Sequence, residues 1–110
     1  MARANTALQE LQRSNQKLDS LAAADSLTGI ANRRTFVQRL EAEVSSANRG
    51  GAPFSLLAVD VDNLQRINER FGEQVGDSIL RAVATACTDA MRPHQGIARV
   101  GGGEFMAMLP

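Results

Sequence analysis

The chain contains no tryptophan or tyrosine and only four phenylalanines among its 110 residues. Proteins that grip single-stranded nucleic acid stack its bases on aromatic side chains, and few are available here. An excess of charge of one sign is missing as well, because twelve basic side chains are balanced by twelve acidic ones. A neutral chain lacks the cationic surface that polyanions and acidic lipids seek, so capture of nucleic acid is not expected to be its work. Cys87 is the single cysteine, which excludes an internal disulfide and removes any need for an oxidising compartment. No apolar run approaches the roughly 20 residues of a membrane-spanning helix. Residues 1–12 carry no continuous apolar stretch of the kind a secretory signal needs. The expectation is a cytoplasmic chain with no direct membrane insertion.

The hydrophobic content of 44% suffices for one modest core. Residues 1–23 hold no glycine or proline and place Leu8, Leu11, Asn15, Leu18 and Ala22 at alternating steps of three and four. This spacing predicts a helix with a heptad seam, either one strand of a coiled coil or a solitary amphipathic helix packed on its own domain. In a parallel dimer Asn15 would occupy an a position, where a buried amide fixes register at some cost in stability. The division predicted is a signalling and dimerisation helix over 1–23 and a domain over 24–110.

Asp25, Ser26, Leu27, Thr28 and Gly29 break the first helix, and Asn32 is placed to cap a second one carrying Phe36, Val37, Leu40 and Val44 on one face. A loop over 49–53 leads to the apolar run 54–59, which reads as a buried strand closed by Asp60, Val61 and Asp62. Leu64, Ile67 and Phe71 mark a third helix that Gly72 can end in the left-handed conformation. Residues 76–91 form a fourth, with Ile79, Leu80, Val83, Ala84, Cys87 and Met91 facing inward and Arg92, Pro93 and His94 closing it. A strand over 96–100, a turn of three glycines and a strand over 104–109 make a hairpin. Phe105, Ala107 and Leu109 share one face of it, and Met106 and Met108 the other. A strand followed by two helices and a hairpin predicts an α/β class fold, an α+β sandwich with an antiparallel portion. The sheet looks incomplete at Pro110.

Two carboxylates at the end of an apolar strand, Asp60 and Asp62, need a cation or hydrogen bonds. Alternation puts them on one side if the strand stays extended, and the helix that follows offers backbone N–H groups near Asn63, Leu64 and Gln65 to a phosphate. The competing reading is that one Asp caps the helix and the other is solvated. Gly101, Gly102 and Gly103 ahead of Glu104 let backbone approach a ligand closely, but they are ordinary turn residues too. Asn68 and Asp77 stand near helix ends, where caps are common. His94 has no second ligand at metal spacing, and Cys87 reads as core.

Taken together, these segments resemble a known family. Asp25-Ser26-Leu27-Thr28-Gly29-Ile30-Ala31-Asn32-Arg33-Arg34, Asp60-Val61-Asp62-Asn63-Leu64-Gln65-Arg66-Ile67-Asn68, Phe71-Gly72, Gly76-Asp77 and Arg99-Val100-Gly101-Gly102-Gly103-Glu104-Phe105 are similar, in order and spacing, to the motifs of GGDEF diguanylate cyclase domains. The resemblance covers residues 25–110 and implies the N-terminal half of a nucleotidyl-cyclase palm-like fold. It implies condensation of two GTP molecules into cyclic di-GMP with release of pyrophosphate, across the face between two domains of a homodimer. By the same resemblance Asp60 and the Val61 carbonyl would hold Mg²⁺ or Mn²⁺ with Glu104, which is left as the catalytic carboxylate. The Asn63–Leu64 turn would lie against the phosphates, and Asn68 and Asp77 would bind guanine, whose edge offers both acceptors and donors.

The departures from the family pattern are as informative as the matches. Gly103 stands where the family has an acidic residue, Gln65 where it has a phosphate-facing lysine, and Glu73 where it has histidine. Arg92 keeps the arginine of an inhibitory site for cyclic di-GMP, while Gln95 replaces its aspartate. These changes imply weak or absent cyclase activity. They also keep open two other readings, a degenerate GTP- or nucleotide-sensing or protein-interaction module acting by dimerisation, and a structural dimerisation fragment.

Overall fold

The computed structural model describes residues 22–93 and 95–110. The heptad seam expected over 1–23 falls almost entirely outside these residues, as does His94. Seven elements follow one another: β1 (Ala31–Asn32), α1 (Arg33–Asn48), β2 (Ser55–Asp60), α2 (Leu64–Phe71), α3 (Glu73–Ala90), β3 (Gly96–Gly101) and β4 (Glu104–Leu109). The strands form one sheet in the order β1-β3-β4-β2, with β1 parallel to β3 and the other neighbours antiparallel. None of the helices among the described residues is long and apolar enough to cross a membrane.

Alternation along the hairpin divides the core into two. Ile97, Phe105 and Ala107 face Leu80 and Ala84 of α3, while Ala98 and Met108 face Phe36 of α1. The sheet is therefore sandwiched between α1 on one side and α3 on the other. Phe105 and Met108, both fully buried, anchor the two sides, and burying a side chain of this size is worth about 1.5–3 kcal/mol. Met106 and Met108 line the face opposite Phe105, as their alternation predicts, and Cys87 packs against the α3 core.

Local chemistry accounts for most boundaries. Asn32 caps α1, its Oδ1 accepting the Thr35 N–H at 2.9 Å. Its Nδ2 donates to the Ala22 carbonyl at 2.8 Å and the Thr35 hydroxyl donates to Ala23 at the same distance, so the entering chain is tied to the start of the helix. Gly72 ends α2 at φ +94°, a positive value that favours glycine, but its ψ of 155° is extended, so the left-handed helical cap expected there does not form. Without that cap the chain restarts at once, and the fourth predicted helix begins at Glu73 rather than at residue 76.

Three expectations about burial are corrected. The apolar run after the loop is a strand, but it occupies the outer edge of the sheet, where Leu56 and Leu57 remain 45% and 46% exposed on opposite faces. Among the described residues α1 and α3 lie mainly over β3 and β4, and of β2 only Val59 packs against the α3 core. Phe71 is 60% exposed beneath the Arg70 guanidinium, and Val37 and Val44 lie on the outer flank of α1. Asp62 does not continue the strand. β2 stops at Asp60, and Asp62 lies in the turn that follows.

Candidate functional site

The pairing of β2 with β4 sets Asp60 directly opposite Glu104. Partners across an antiparallel ladder project from the same face, so two carboxylates far apart in sequence become neighbours. The Val61 N–H donates to the Gly103 carbonyl at 2.9 Å and fastens the strand end to the glycine turn. Neither Asp60 nor Glu104 has an ion-pair partner among the described residues. An open cleft of about 610 Å³ lies over them, lined by Asp60, Val61, Asn63, Leu64, Gln65 and Arg66 on one side and by Gly101, Gly102, Gly103 and Glu104 on the other.

The rim of this cleft is shaped by Asn63, which sits in the left-handed region at φ 60°, ψ 23° ahead of α2. Asparagine tolerates that conformation better than most residues, and uncommon backbone of this kind gathers at ligand sites. Neither Asp62 nor Asn63 makes a side-chain cap bond to α2, contrary to the capping alternative. The Gln65 amide turns along its own helix to Glu69, at 3.3 Å.

Gly103 has an ordinary negative or extended φ, since it is absent from the positive-φ glycines. A Cβ there would stand 3.1 Å from Leu64 Cδ2 and 3.4 Å from Val61 Cβ, so Leu64 presses against the place where a side chain would emerge. A small movement of the Leu64 methyl would admit one.

The remaining candidates lie elsewhere. Asn68 packs where α2 crosses α3: a Cβ on Gly76 would overlap its side-chain amide, which explains the glycine at that crossing. Asn68 Oδ1 is buried with no hydrogen-bond partner, and an unmet buried acceptor is uncommon in native proteins. Asp77 follows Gly76 on α3, and neither Asn68 nor Asp77 lines the cleft. Glu73 is exposed in the first turn of α3. Arg92 is exposed beyond the end of α3, and its backbone N–H donates to Gln95 Oε1 at 3.0 Å, so the glutamine in place of an acid is spent on a local turn. No cluster of three or more His, Cys, Asp or Glu side chains that could hold a metal occurs among the described residues. The cleft offers two carboxylates and a carbonyl, a hard-oxygen set that suits one Mg²⁺ completed by water and phosphate oxygens.

Two features were not legible in the sequence. Among the described residues Arg66 is the only basic one lining the cleft. Arg99 spans the glycine turn and the segment ahead of α1: its Nη1 lies 3.2 Å from Asp25 Oδ1, and its Nε donates to the Gly102 carbonyl at 3.0 Å. Asp25 Oδ2 also accepts from the Thr28 N–H and hydroxyl, at 3.0 and 2.7 Å. Partial burial pushes the Asp25 carboxyl up, but the Thr28 hydrogen bonds and the Arg99 charge outweigh it and hold the group below its ordinary value.

Comparison with known proteins agrees with this fold. The family model described as "Diguanylate cyclase, GGDEF domain" matches residues 22–110. The chain is 40% identical over 89 residues to diguanylate cyclase DgcP of Pseudomonas aeruginosa, covering 81% of this chain and 13% of that protein. It is 39% identical over 90 residues to the response regulator PleD of Caulobacter vibrioides, covering 82% of this chain and 20% of that one. Among solved structures, the coiled coil and GGDEF domain of DgcB from Caulobacter crescentus in complex with c-di-GMP superposes with a TM-score of 0.78 at 29% identity, over 99% of this chain and 57% of that one. Diguanylate cyclase SiaD of Pseudomonas aeruginosa, in complex with its activator SiaC, gives 0.77 at 34% identity, over 99% and 42%. The chain thus spans at most a fifth of those two curated relatives and about half of those two solved chains.

Proposed function

The chain belongs to the GGDEF family of diguanylate cyclase domains, and from that premise we propose that it forms a GTP half-site of cyclic di-GMP signalling in which cyclisation is slow. The observation that carries the reading is the cross-strand pairing of Asp60 with Glu104 under an open cleft, both without an ion-pair partner among the described residues.

In this reading Asp60, Glu104 and the Val61 carbonyl would hold Mg²⁺ or Mn²⁺, which would supply positive charge to offset the phosphates and Lewis acidity toward the phosphorus under attack. The Asn63–Leu64 turn sets the phosphates against the backbone at the cleft rim. Asn68 and Asp77 hold guanine at the α2–α3 corner, and because Asn68 Oδ1 is buried against Gly76, its amide must turn outward to meet a base.

The reaction requires two such half-sites facing each other in a homodimer, because each GTP supplies the nucleophile for the other. The 3′-hydroxyl oxygen of one GTP bonds to the α-phosphorus of the other and gives its proton to a base. The α–β phosphoanhydride bond breaks and pyrophosphate leaves with its electron pair. Performed twice, this converts two GTP molecules into one cyclic di-GMP and two pyrophosphates. Gly103 contributes no carboxylate to receive the proton, and Glu104 is the remaining candidate. Loss of a positioned base typically costs about 10²–10⁴-fold in rate, which is why slow cyclisation is proposed.

The helix expected over 1–23 would bring two copies of the 24–110 unit together, and GTP as substrate implies a cytoplasmic setting. Arg92 is the remnant of a product-binding site, weakened by Gln95. A second reading, a nucleotide-sensing module that binds GTP without turning it over, is favoured by Gly103 and by the withdrawal of Gln65 to Glu69.

Calorimetric titration of the chain with GTP and Mg²⁺, with cyclic di-GMP and pyrophosphate measured in the same samples, tests the proposal. Saturable binding with slow product formation is expected. Binding without any product selects the sensing module, and the absence of saturable binding overturns the half-site.

A further inference from the structure

The cleft has a problem of charge. Two carboxylates line it, a triphosphate adds several more negative charges, and one divalent ion offsets only part of the total. Yet the polar side chain best placed by sequence to help, Gln65, is neutral and is held by Glu69 at 3.3 Å. The next residue, Arg66, lines the same cleft and is the only basic side chain among the described residues that does. It has no ion-pair partner among the described residues. Its position follows from local geometry. The left-handed Asn63 starts α2 at Leu64, and Arg66 stands three residues beyond Asn63, so one helical turn brings both onto the flank beside the phosphate rim.

We propose that Arg66 is the phosphate-binding cation of this half-site, a role that rests on the GTP reading above. A guanidinium on the first turn of a helix presents a planar fork of N–H donors that suits a phosphate oxygen pair. Arg66 also borders a neighbouring groove lined by Ile67, Glu69, Arg70 and Phe71. The side chain therefore sits on the ridge between the two, able to turn into the cleft when phosphate arrives.

The test separates phosphate recognition from support of the fold. The unsubstituted chain, Arg66→Gln and Arg66→Lys are titrated with GTP and Mg²⁺ by calorimetry, and with guanosine, which has no phosphate, by NMR chemical shift. Charged hydrogen bonds predict a loss of GTP affinity of about tenfold or more in Arg66→Gln. Arg66→Lys should retain most of the affinity, and the guanosine titration should be the same in all three. GTP binding in Arg66→Gln equal to that of the unsubstituted chain overturns the role of Arg66 and leaves the half-site standing. Parallel loss of GTP and guanosine binding overturns it too, by showing a structural effect. Failure of the unsubstituted chain to bind GTP overturns the half-site and Arg66 with it.

Discussion

Two polar regions meet at the end of the β3–β4 hairpin, and they are built on opposite plans. At Asp25 every partner comes from the protein: two bonds from Thr28 and a guanidinium from Arg99, which also holds the Gly102 carbonyl. At Asp60 and Glu104, on the other side of the same turn, two carboxylates stand opposite each other with no ion-pair partner among the described residues. A satisfied polar network rigidifies a fold, whereas exposed carboxylates without an ion-pair partner add little to it. The turn is thus held from one side and, on the other, faces an open cleft.

The largest effect is expected from adding what the open side lacks. Gly103→Asp, in this chain extended to the full length of a relative's GGDEF domain, should raise the rate of cyclic di-GMP formation by about 10²–10⁴-fold, with a smaller change in GTP affinity. Gly103 has no positive φ to strain a side chain, and only a Leu64 methyl must move. Equal rates before and after the substitution, measured per dimer, would show that this glycine is not the main lesion.

A smaller effect separates the two aspartates that follow one another after Val59. Asp60→Asn should lower GTP affinity in the presence of Mg²⁺ by about tenfold or more, while Asp62→Asn changes it little, because Asp60 lines the cleft and Asp62 lies in the turn beyond it. Melting temperatures of both variants should stay close to that of the unsubstituted chain, since neither carboxylate holds the fold together. A greater loss of affinity in Asp62→Asn would invert the assignment.

The closed side should behave in the opposite way, losing stability without losing a ligand. Asp25→Asn should cost about 1–2 kcal/mol in denaturant unfolding, allowing for the pair's partial exposure. Its pH dependence follows from the sign of the shift. The Asp25 carboxyl is depressed in the folded chain, so its contribution is complete above the unfolded value of about 3.9 and fades as pH falls through the folded value. The stability gap between the unsubstituted chain and Asp25→Asn should therefore narrow below about pH 4. A gap that widened on acidification would exclude this ion pair as its source.

Most of the elements could be read from local pattern. Asn32 announces a cap, the alternation from Phe105 to Leu109 announces a strand with two buried faces, and the glycine triplet announces its turn. The edge position of β2 could not be read that way. Leu56 and Leu57 look as buried as any apolar pair, and only the strand order shows that no helix reaches them. The turn at Asn63 was legible as a helix start, but its left-handed backbone was not, because asparagine accepts several conformations.

Residue order along the chain, then, determined the helices, the hairpin and the motifs shared with GGDEF domains, since periodicity, capping and turn chemistry act over a few neighbours. Tertiary structure alone decided that Asp60 would face Glu104, that Arg99 would reach Asp25, and that Arg66 would line the same cleft as the two carboxylates. Each of those relations depends on which strands pair and how helices lie over them. Pairing between distant segments is set by burial of the whole sheet, a cooperative quantity that no short stretch of sequence carries.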